Sequence, residues 1–310
     1  MGRSDGKKIK GINGFDRMLS LVVGKTRTEV TNLFSMDIVT KSIDEYIEAK
    51  KKEGIEYTYR DILIATLVRV FYLRPRFNRF VIAGNFYQRK HIDISMSMHK
   101  NIKTGDEETS IKCRFTGKET IMQVKAAFDE KIKQALDSED STGIFSKQLS
   151  WMPTWMFRLA LGWLRLLDRY GMLSDKFMFN ISPMHSSIFF ADLKSIHLDK
   201  IYHHLYNFGN CGFFCTMGKE TMRPVVDEKT NEIKAERVLS IGVSIDERFV
   251  DGHYYSGMIK YAKRLLENLS VLERAPEDDE IKKLPLTNRE KKKKAKAEKK
   301  AAKRARKTKS

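Results

Sequence analysis

The sequence predicts a single α/β or α+β domain followed by a basic tail. Segments in which apolar and polar residues alternate, as expected of half-buried strands, are interspersed with segments of helical periodicity. Hydrophobic residues make up 41% of the 310 residues and aromatic residues 10%, which is enough apolar material for a sizeable core. The composition therefore excludes an intrinsically disordered protein.

The first part of the domain is predicted to contain one strand and then two helices. Residues 29–39, EVTNLFSMDIV, are rich in β-branched and apolar residues, which is typical of a strand. Each following helix begins with capping-box spacing, and stop signals follow at Gly54 and at Arg74-Pro75. The two boxes are Ser42 with Glu45, and Thr58 with Asp61. Apolar residues surround much of the second helix, so we expect it to be largely buried.

Further strands and helices complete the domain. Strands are expected in RFVIAGNFYQ, in HIDISMSMHK with its strict alternation, and in IKCRFTG, and a helix follows at about residues 118–138. Residues 223–245 predict two strands joined by a polar turn, and Asp251-Gly252 opens a last amphipathic helix.

The basic charge is concentrated at the C-terminus. Residues 289–310 contain 13 Lys/Arg against 2 Glu, a net of +11, whereas the other 288 residues have 45 basic against 38 acidic side chains. Such a run is typical of a solvated, disordered extension, and its charge would attract RNA or an anionic membrane in a salt-dependent way. No aromatic residues for stacking on bases accompany it. The predicted domain therefore ends at residue 275, and residues 276–310 form a linker and basic tail.

The cysteines and the N-terminus favour a cytoplasmic location. Cys113, Cys211 and Cys215 are odd in number and fit no secretory disulfide framework, so we expect buried thiols. The first residues, MGRSDGKKIKG, lack the apolar core of a signal peptide.

An ordered series of motifs resembles the chloramphenicol acetyltransferase and dihydrolipoyl acyltransferase superfamily. The stretch RPVVDEKTNEIKAERVLSIGVSIDERFVDGHYYSGM is similar to its C-terminal hairpin, Leu-Ser strand and His-x-x-x-Asp-Gly motif. Upstream, residues 33–78 resemble its first strand and two helices, FMFNISPMHSSIFFADL takes the place of its active-site strand, and GFFCTMGKE resembles the strand before the hairpin. The resemblance covers about residues 12–135 and 176–270.

The resemblance implies a two-layer α/β sandwich with a mixed sheet, assembled as a homotrimer. It also implies that coenzyme A, as the acyl-CoA substrate, and an acceptor enter a channel between subunits from opposite sides, with no metal involved. A histidine takes the acceptor's proton and a Ser or Thr of the facing subunit stabilises the oxyanion. The Asp of Asp-Gly is structural in that family and pairs with an arginine.

This chain departs from the family motif at position 247. When Asp251 and Gly252 are placed in register, the histidine position falls on Glu247. Proton transfer from a thiol to an ordinary Glu is uphill by about 4 pK units, roughly 6 kcal/mol, against about 2 units for His. An apolar pocket that raised the pKa of Glu to about 6–7 would close that difference. Three interpretations stay open: a tuned base, a structural carboxylate paired with Arg or Lys, or a base supplied by another residue.

Other residues are candidates for the remaining roles. His253, and His185 in SPMHSS, are candidate substitutes for the base, although either could serve only to cap or pack. For the oxyanion donor, alignment on Pro183 favours Asn180 and alignment on the hydroxyl favours Ser182. Arg17 is the expected partner of Asp251.

Residues 142–175 have no counterpart in the resembling family. They contain an amphipathic helix rich in Trp and Arg at 151–173, too interrupted to span a bilayer. Three roles are open for it: a helix that lies on a membrane surface, a lid over an acyl pocket that favours medium or long chains, or a packing helix.

Two functions from different classes follow. The first is CoA-dependent transfer of an acyl group to an unidentified acceptor. The second is an inactive relative that binds acyl-CoA or a protein partner as a regulator or scaffold.

Overall fold

The computed structural model describes residues 2–99, 108–137, 152–226 and 231–277. Residues Met1–Ala275 form one compact unit. Its strands are β1 (Gly6–Lys8), β2 (Thr31–Val39), β3 (Arg79–Ile82), β4 (Asn85–Arg89), β5 (Ile92–His99), β6 (Glu108–Phe115), β7 (Ile188–Asp192), β8 (Phe213–Val226) and β9 (Ile233–Asp246). Its helices are α1 (Gly14–Val22), α2 (Lys41–Lys52), α3 (Tyr59–Leu73), α4 (Ile121–Asp137), α5 (Thr154–Arg169), α6 (Asp175–Ile181) and α7 (Gly252–Glu267).

A six-stranded mixed sheet forms one layer of the domain. The strand order is β2-β9-β8-β7-β5-β6, in which β7 runs parallel to β5 and β8 and the other neighbours are antiparallel. A second, three-stranded sheet has the order β1-β4-β3. Together with the helices, the large sheet confirms the predicted two-layer α/β sandwich.

Helix α3 is the centre of the helical layer. It packs against α4 and α7 and contacts β5. Its burial and the capping box of Thr58 and Asp61 confirm the sequence prediction. The capping box predicted for Ser42 and Glu45 is wrong, because α2 begins earlier, after Thr40. The backbone amide of Thr40 donates to Arg237 of β9 at 2.9 Å, which fixes the chain at this point before the helix starts.

The segment FMFNIS is a helix and not the predicted strand. Ser174 caps α6 by accepting a hydrogen bond from the amide of Phe177, and the helix continues to Ile181. The strand of this region, β7, starts later in the same stretch, at Ile188. The candidates Asn180 and Ser182 therefore lie at the end of a helix, where orphan carbonyls need partners.

The predicted C-terminal hairpin is confirmed. Strands β8 and β9 are 14 residues each and pair in antiparallel fashion from Phe213 to Val226. The basic tail lies outside the described residues. The three cysteines are buried and unpaired, as predicted. Within the described part of the chain, no helix is long and apolar enough to cross a membrane.

Candidate functional site

The two segments that carry most of the candidate residues lie at one end of the large sheet, where β9 ends and β7 and β8 begin. The amide of Asp246 donates to the carbonyl of Gly212 at 3.0 Å, which joins the end of β9 to the start of β8. The amides of Asn210 and Cys211 donate to Met184 at 3.0 and 2.9 Å, which joins the start of β8 to the loop before β7. Backbone hydrogen bonds therefore connect the two candidate segments.

Glu247 lies between the two residues of a buried ion pair. Arg248 binds both carboxylate oxygens of Asp246, at 2.9 and 2.6 Å, and both side chains are buried. The intervening Glu247 is half-buried, and its amide donates to Val30 at 3.2 Å. No other described residue forms an ion pair or hydrogen bond with its carboxylate. Among the described residues, Glu247 therefore lacks the ion pair with Arg or Lys that one of its three interpretations requires.

The Asp-Gly motif opens helix α7. Asp251 caps the helix by accepting from the amide of Tyr254 at 2.8 Å, and Gly252 is the first helical residue. Arg17 is exposed on α1, and no ion pair joins it to Asp251 in this chain. His253 is exposed in the first turn of α7. In this chain Asp251 therefore caps a helix, and no described arginine forms an ion pair with it.

Ser182 and His185 form a buried hydrogen-bonded pair. The hydroxyl of Ser182 lies 2.8 Å from Nδ1 of His185, and both side chains are buried. Nε2 of His185 lies 3.4 Å from a carboxylate oxygen of Asp168, without the alignment of a hydrogen bond. Arg3 anchors the other oxygen of Asp168 at 2.6 Å. Sequence reasoning identified Ser182 and His185 but missed Asp168 and Arg3, because 165 residues separate the two.

The electrostatics of this cluster keep the imidazole neutral. Burial lowers the pKa of His185, and the charges of Lys112 and Arg89 lower it further, against the opposing effect of Asp168. Burial alone would raise the pKa of Asp168, but its contacts with His185 and Arg3 outweigh burial and lower that pKa to about 2. The result is an ionised carboxylate beside a neutral histidine.

Lys112 is a second buried cation in this region. Its ammonium donates to the carbonyls of Ser182, His185 and Met178 at 2.6, 3.1 and 3.4 Å. Burial lowers its pKa to about 8. Because its three donors are satisfied by carbonyls around the end of α6, we assign Lys112 to holding that helix terminus and the following loop.

An open cleft of about 1150 Å³ lies beside the Ser182 segment. Asn180 is exposed and lines it, as do Ile181 and Pro183 on either side of Ser182. Its apolar lining includes Met96, Met98, Ile111, Phe179, Phe189 and Phe214. Ser182 itself is turned inward to His185 and does not line the cleft. Glu247 and His253 also lie outside its walls, so one chain does not bring the two halves of the predicted site together.

A second cleft of about 1090 Å³ adjoins the first. Arg60, Asp192 and Ser195 line both clefts. The walls of the second cleft carry both basic and acidic side chains, among them Lys41, Lys194, Arg237, Glu45 and Glu220. The two clefts offer adjoining space for two ligands. In the described part of the chain, no three His, Cys, Asp or Glu side chains gather as a metal site requires.

Helix α5 confirms the amphipathic helix expected between Trp151 and Leu173, although residues 142–151 of the predicted insertion lie outside the described residues. The helix lines neither cleft, so the lid predicted over an acyl pocket is not formed within one chain. Asp168 is its only buried side chain. Five large side chains along one stripe are exposed, namely Trp155, Leu159, Trp163, Leu166 and Tyr170.

The hairpin and the start of α7 are similar to one known family, and the fold is similar to that of several solved structures. The family described as 2-oxoacid dehydrogenases acyltransferase (catalytic domain) matches residues 213–273, which include the hairpin, Glu247 and Asp251-Gly252. The resemblance predicted from the motifs is therefore confirmed, over this segment by the family and over the domain by the fold.

Solved structures support the same fold. A probable dihydrolipoamide acetyltransferase from Listeria monocytogenes 4b F2365 is 16% identical, with 85% of this chain and 96% of that chain covered and a TM-score of 0.53. A dihydrolipoamide acetyltransferase from Azotobacter vinelandii, studied for the catalytic roles of a serine, a histidine and an asparagine, is 12% identical, with 86% and 94% covered and a TM-score of 0.52. A chloramphenicol acetyltransferase is 11% identical, with 84% and 99% covered and a TM-score of 0.52. No curated protein matches the sequence.

Proposed function

We propose that the protein transfers an acyl group from acyl-CoA to an acceptor as a homotrimer, with Glu247 as the general base. The observation that carries the proposal is the state of Glu247. It lies within the matched segment, at the position where spacing from Asp251-Gly252 predicts the base, and it is half-buried with no ionic partner among the described residues. A carboxylate left unpaired at a sheet edge is available to accept a proton.

The proposed reaction is a direct transfer. Glu247 takes the proton of the acceptor thiol or hydroxyl while the acceptor attacks the thioester carbonyl. The tetrahedral oxyanion then collapses, the C–S bond breaks, and the coenzyme A thiolate takes up the proton. For a thiol acceptor an ordinary Glu leaves a deficit of about 4 pK units, roughly 6 kcal/mol. Burial of a carboxylate base between subunits is the general way in which such a deficit is reduced.

Asn180 is the better candidate for stabilising the oxyanion. Its exposed carboxamide lines the large cleft, whereas the hydroxyl of Ser182 is engaged with His185. An amide N–H donates to an oxyanion as a hydroxyl does. Ser182 would therefore hold the end of α6, and with it Asn180, in place. His253 is exposed and has no role in the proposed reaction.

A homotrimer would complete this site. Glu247 lies outside both clefts of its own chain, so a donor at Asn180 has to come from a neighbouring subunit for the two to act on one substrate. The adjoining clefts then provide separate places for acyl-CoA and acceptor, and the apolar lining of the larger one favours medium or long acyl groups.

The second candidate function is that of an inactive relative that binds acyl-CoA or a partner. Two observations favour it: the imidazole of the motif is replaced by a carboxylate, and the hydroxyl of Ser182 is already hydrogen-bonded within the chain. Such a protein would keep the clefts without turnover.

Release of free thiol from a panel of acyl-CoAs, each offered with a panel of acceptors, separates the two functions. We expect turnover that falls at least about a hundredfold in Glu247→Ala, the usual contribution of a general base. Glu267→Ala, which removes an exposed carboxylate from α7, is the control and should keep full activity. Turnover that is indistinguishable from background in the unmodified protein would support the inactive relative, and activity gained by Glu247→His would show that only the base was lost.

A further inference from the structure

Three arginines that follow helix α3 surround one tyrosine of α7. The guanidinium carbons of Arg76 and Arg74 lie 4.9 and 5.9 Å from the ring centre of Tyr254. Arg79, at the start of β3, is close enough to act on the same phenol electrostatically. All three arginine side chains are half-buried. The chain thus concentrates three positive charges around one aromatic ring, and we name Arg74, Arg76 and Arg79 the arginine cluster.

None of the three arginines has a carboxylate partner among the described residues. Arg76 donates to the carbonyl of Phe249 at 3.4 Å and Arg79 donates to the side-chain oxygen of Gln88 at 3.2 Å, both neutral acceptors. Burial, and to a smaller extent the charge of Arg76, lower the pKa of Arg79. Asp16 is the carboxylate that opposes this effect, from beyond ion-pair distance.

Some other arginines of the chain are paired with acids: Arg3, Arg114 and Arg248 each lie within 2.8 Å of a carboxylate oxygen. The buried Arg27 and Arg89, by comparison, donate to neutral oxygen atoms.

In the arginine cluster the Nε atoms of Arg74 and Arg76 are buried without a hydrogen-bond partner among the described residues. Buried guanidinium donors normally find acceptors, and three neighbouring cations with only neutral acceptors are suited to an anionic ligand.

We propose that the arginine cluster binds a phosphate group. Guanidinium forks match the spacing of phosphate oxygens, and a phosphate supplies several acceptors and up to two negative charges to neutralise the three cations. Tyr254 holds two of the arginines by its ring face, so the site is preorganised before the anion arrives. The phosphate comes either from coenzyme A or from another phosphorylated ligand.

The arginine cluster contacts the loop that follows Glu247. Arg76 contacts the carbonyl of Phe249, two residues after Glu247, and Tyr254 stands in the first turn of α7. An anion bound here would tie the end of α3 to the loop between β9 and α7. Binding does not require turnover, so the proposal stands or falls independently of the role of Glu247.

Calorimetric titration of the full chain with inorganic pyrophosphate tests the site. Arg76→Gln/Arg79→Gln should weaken binding at least about tenfold, the loss expected for one or more charge-assisted hydrogen bonds. The matched control is Arg158→Gln/Arg165→Gln, which removes the same charge from exposed positions of α5 and should change affinity less than about twofold. The basic tail is present in all three proteins, so its contribution cancels.

Thermal unfolding gives a second measurement that does not depend on titration. In phosphate-free buffer the cluster variant should be at least as stable as the unmodified protein, because repulsion is relieved, and it should lose the stabilisation by pyrophosphate. Arg79→Gln alone serves if the double variant is poorly folded. Equal weakening in cluster and control variants, or no saturable binding, would overturn the proposal. Titration with coenzyme A and with pantetheine then identifies the source of the phosphate. If the cluster variant binds coenzyme A more weakly but pantetheine equally well, the phosphates of coenzyme A occupy the site. If only its affinity for pyrophosphate is reduced, the site binds another phosphorylated ligand.

Discussion

The hydroxyl of Ser182 lies 2.8 Å from Nδ1 of His185, in a buried contact between the end of α6 and the loop before β7. Because the other ring nitrogen faces the carboxylate of Asp168, the neutral ring carries its hydrogen on Nε2 and leaves Nδ1 as an acceptor. Ser182 is therefore the donor of this bond, and its hydrogen is directed into the protein, away from the cleft.

Replacement of Ser182 by Ala should destabilise the fold. The change leaves Nδ1 of His185 buried without a donor, at a cost of about 1–3 kcal/mol in the free energy of unfolding. Ser256→Ala is the control, since it removes an exposed hydroxyl that bonds only to the carbonyl of His253. Urea unfolding of the two variants measures the difference, and equal midpoints would show that the buried hydrogen bond contributes nothing.

The Asp168–His185 contact should make the free energy of unfolding decrease as the pH is lowered, in two separate pH ranges. The folded pKa of Asp168, about 2, lies below its unfolded value of about 3.9, so its contribution of about 2 kcal/mol is present above pH 4 and lost between about pH 4 and 2. The pKa of His185 is also lowered on folding, so the unfolded chain binds that proton first and stability decreases below about pH 6.5.

Urea unfolding of two variants at a series of pH values distinguishes the contributions of Asp168 and His185. Asp168→Asn should flatten the dependence between about pH 4 and 2, and His185→Gln should flatten it between about pH 7 and 5. A His185→Gln protein that loses stability below pH 6.5 as steeply as the unmodified chain would contradict the assigned neutral histidine.

The outer part of the β8–β9 hairpin should lie in the subunit interface of the proposed homotrimer. Residues 222–226 and 233–237 pair with each other and with no third strand, and Met222 and Ile233 are 64% and 72% exposed in the described structure. A two-stranded ribbon with exposed apolar side chains is marginal unless another surface covers it. Ile233→Glu should therefore shift the protein toward monomers in light scattering, whereas Lys234→Glu, its exposed neighbour, should not. Unchanged mass in Ile233→Glu would place the interface elsewhere.

The basic tail should account for binding to large polyanions. Removal of residues 289–310, with their net charge of +11, is expected to abolish salt-sensitive binding to RNA while the oligomeric mass stays unchanged apart from the deleted residues. Filter binding at several salt concentrations measures this. RNA affinity that survives the deletion would assign the binding to the folded domain.

Local patterns were sufficient to predict most of the fold. Period-two alternation in β5, the capping box at Thr58 and the Asp251-Gly252 start of α7 each depend on neighbours in sequence. The failures occurred where distant contacts decide. Thr40 ends β2 because of a bond to Arg237, and FMFNIS is helical although its apolar composition suits a strand.

The candidate site was predictable only in part. The position of Glu247 follows from its spacing to Asp251, and the likeness of FNIS to the family's motif indicates Ser182 and Asn180. His185, Asp168 and Arg3 together hold Ser182 away from the cleft and leave Asn180 facing it. These three residues are too far apart in sequence to form one motif. The arginine cluster has a local signal in RPRFNR, but its lack of carboxylate partners is visible only in three dimensions.

Co-assembly of two inactive chains tests the central claim most directly. Neither Glu247→Ala nor Asn180→Ala alone should cleave acyl-CoA at an appreciable rate. The account places the proton acceptor on one protomer and the amide on its neighbour. An equal mixture of the two variants, unfolded and refolded together, should therefore regain about a quarter of full activity, because about a quarter of the sites combine an intact Glu247 with an intact Asn180. A mixture as inactive as its separate components would contradict a shared site between protomers.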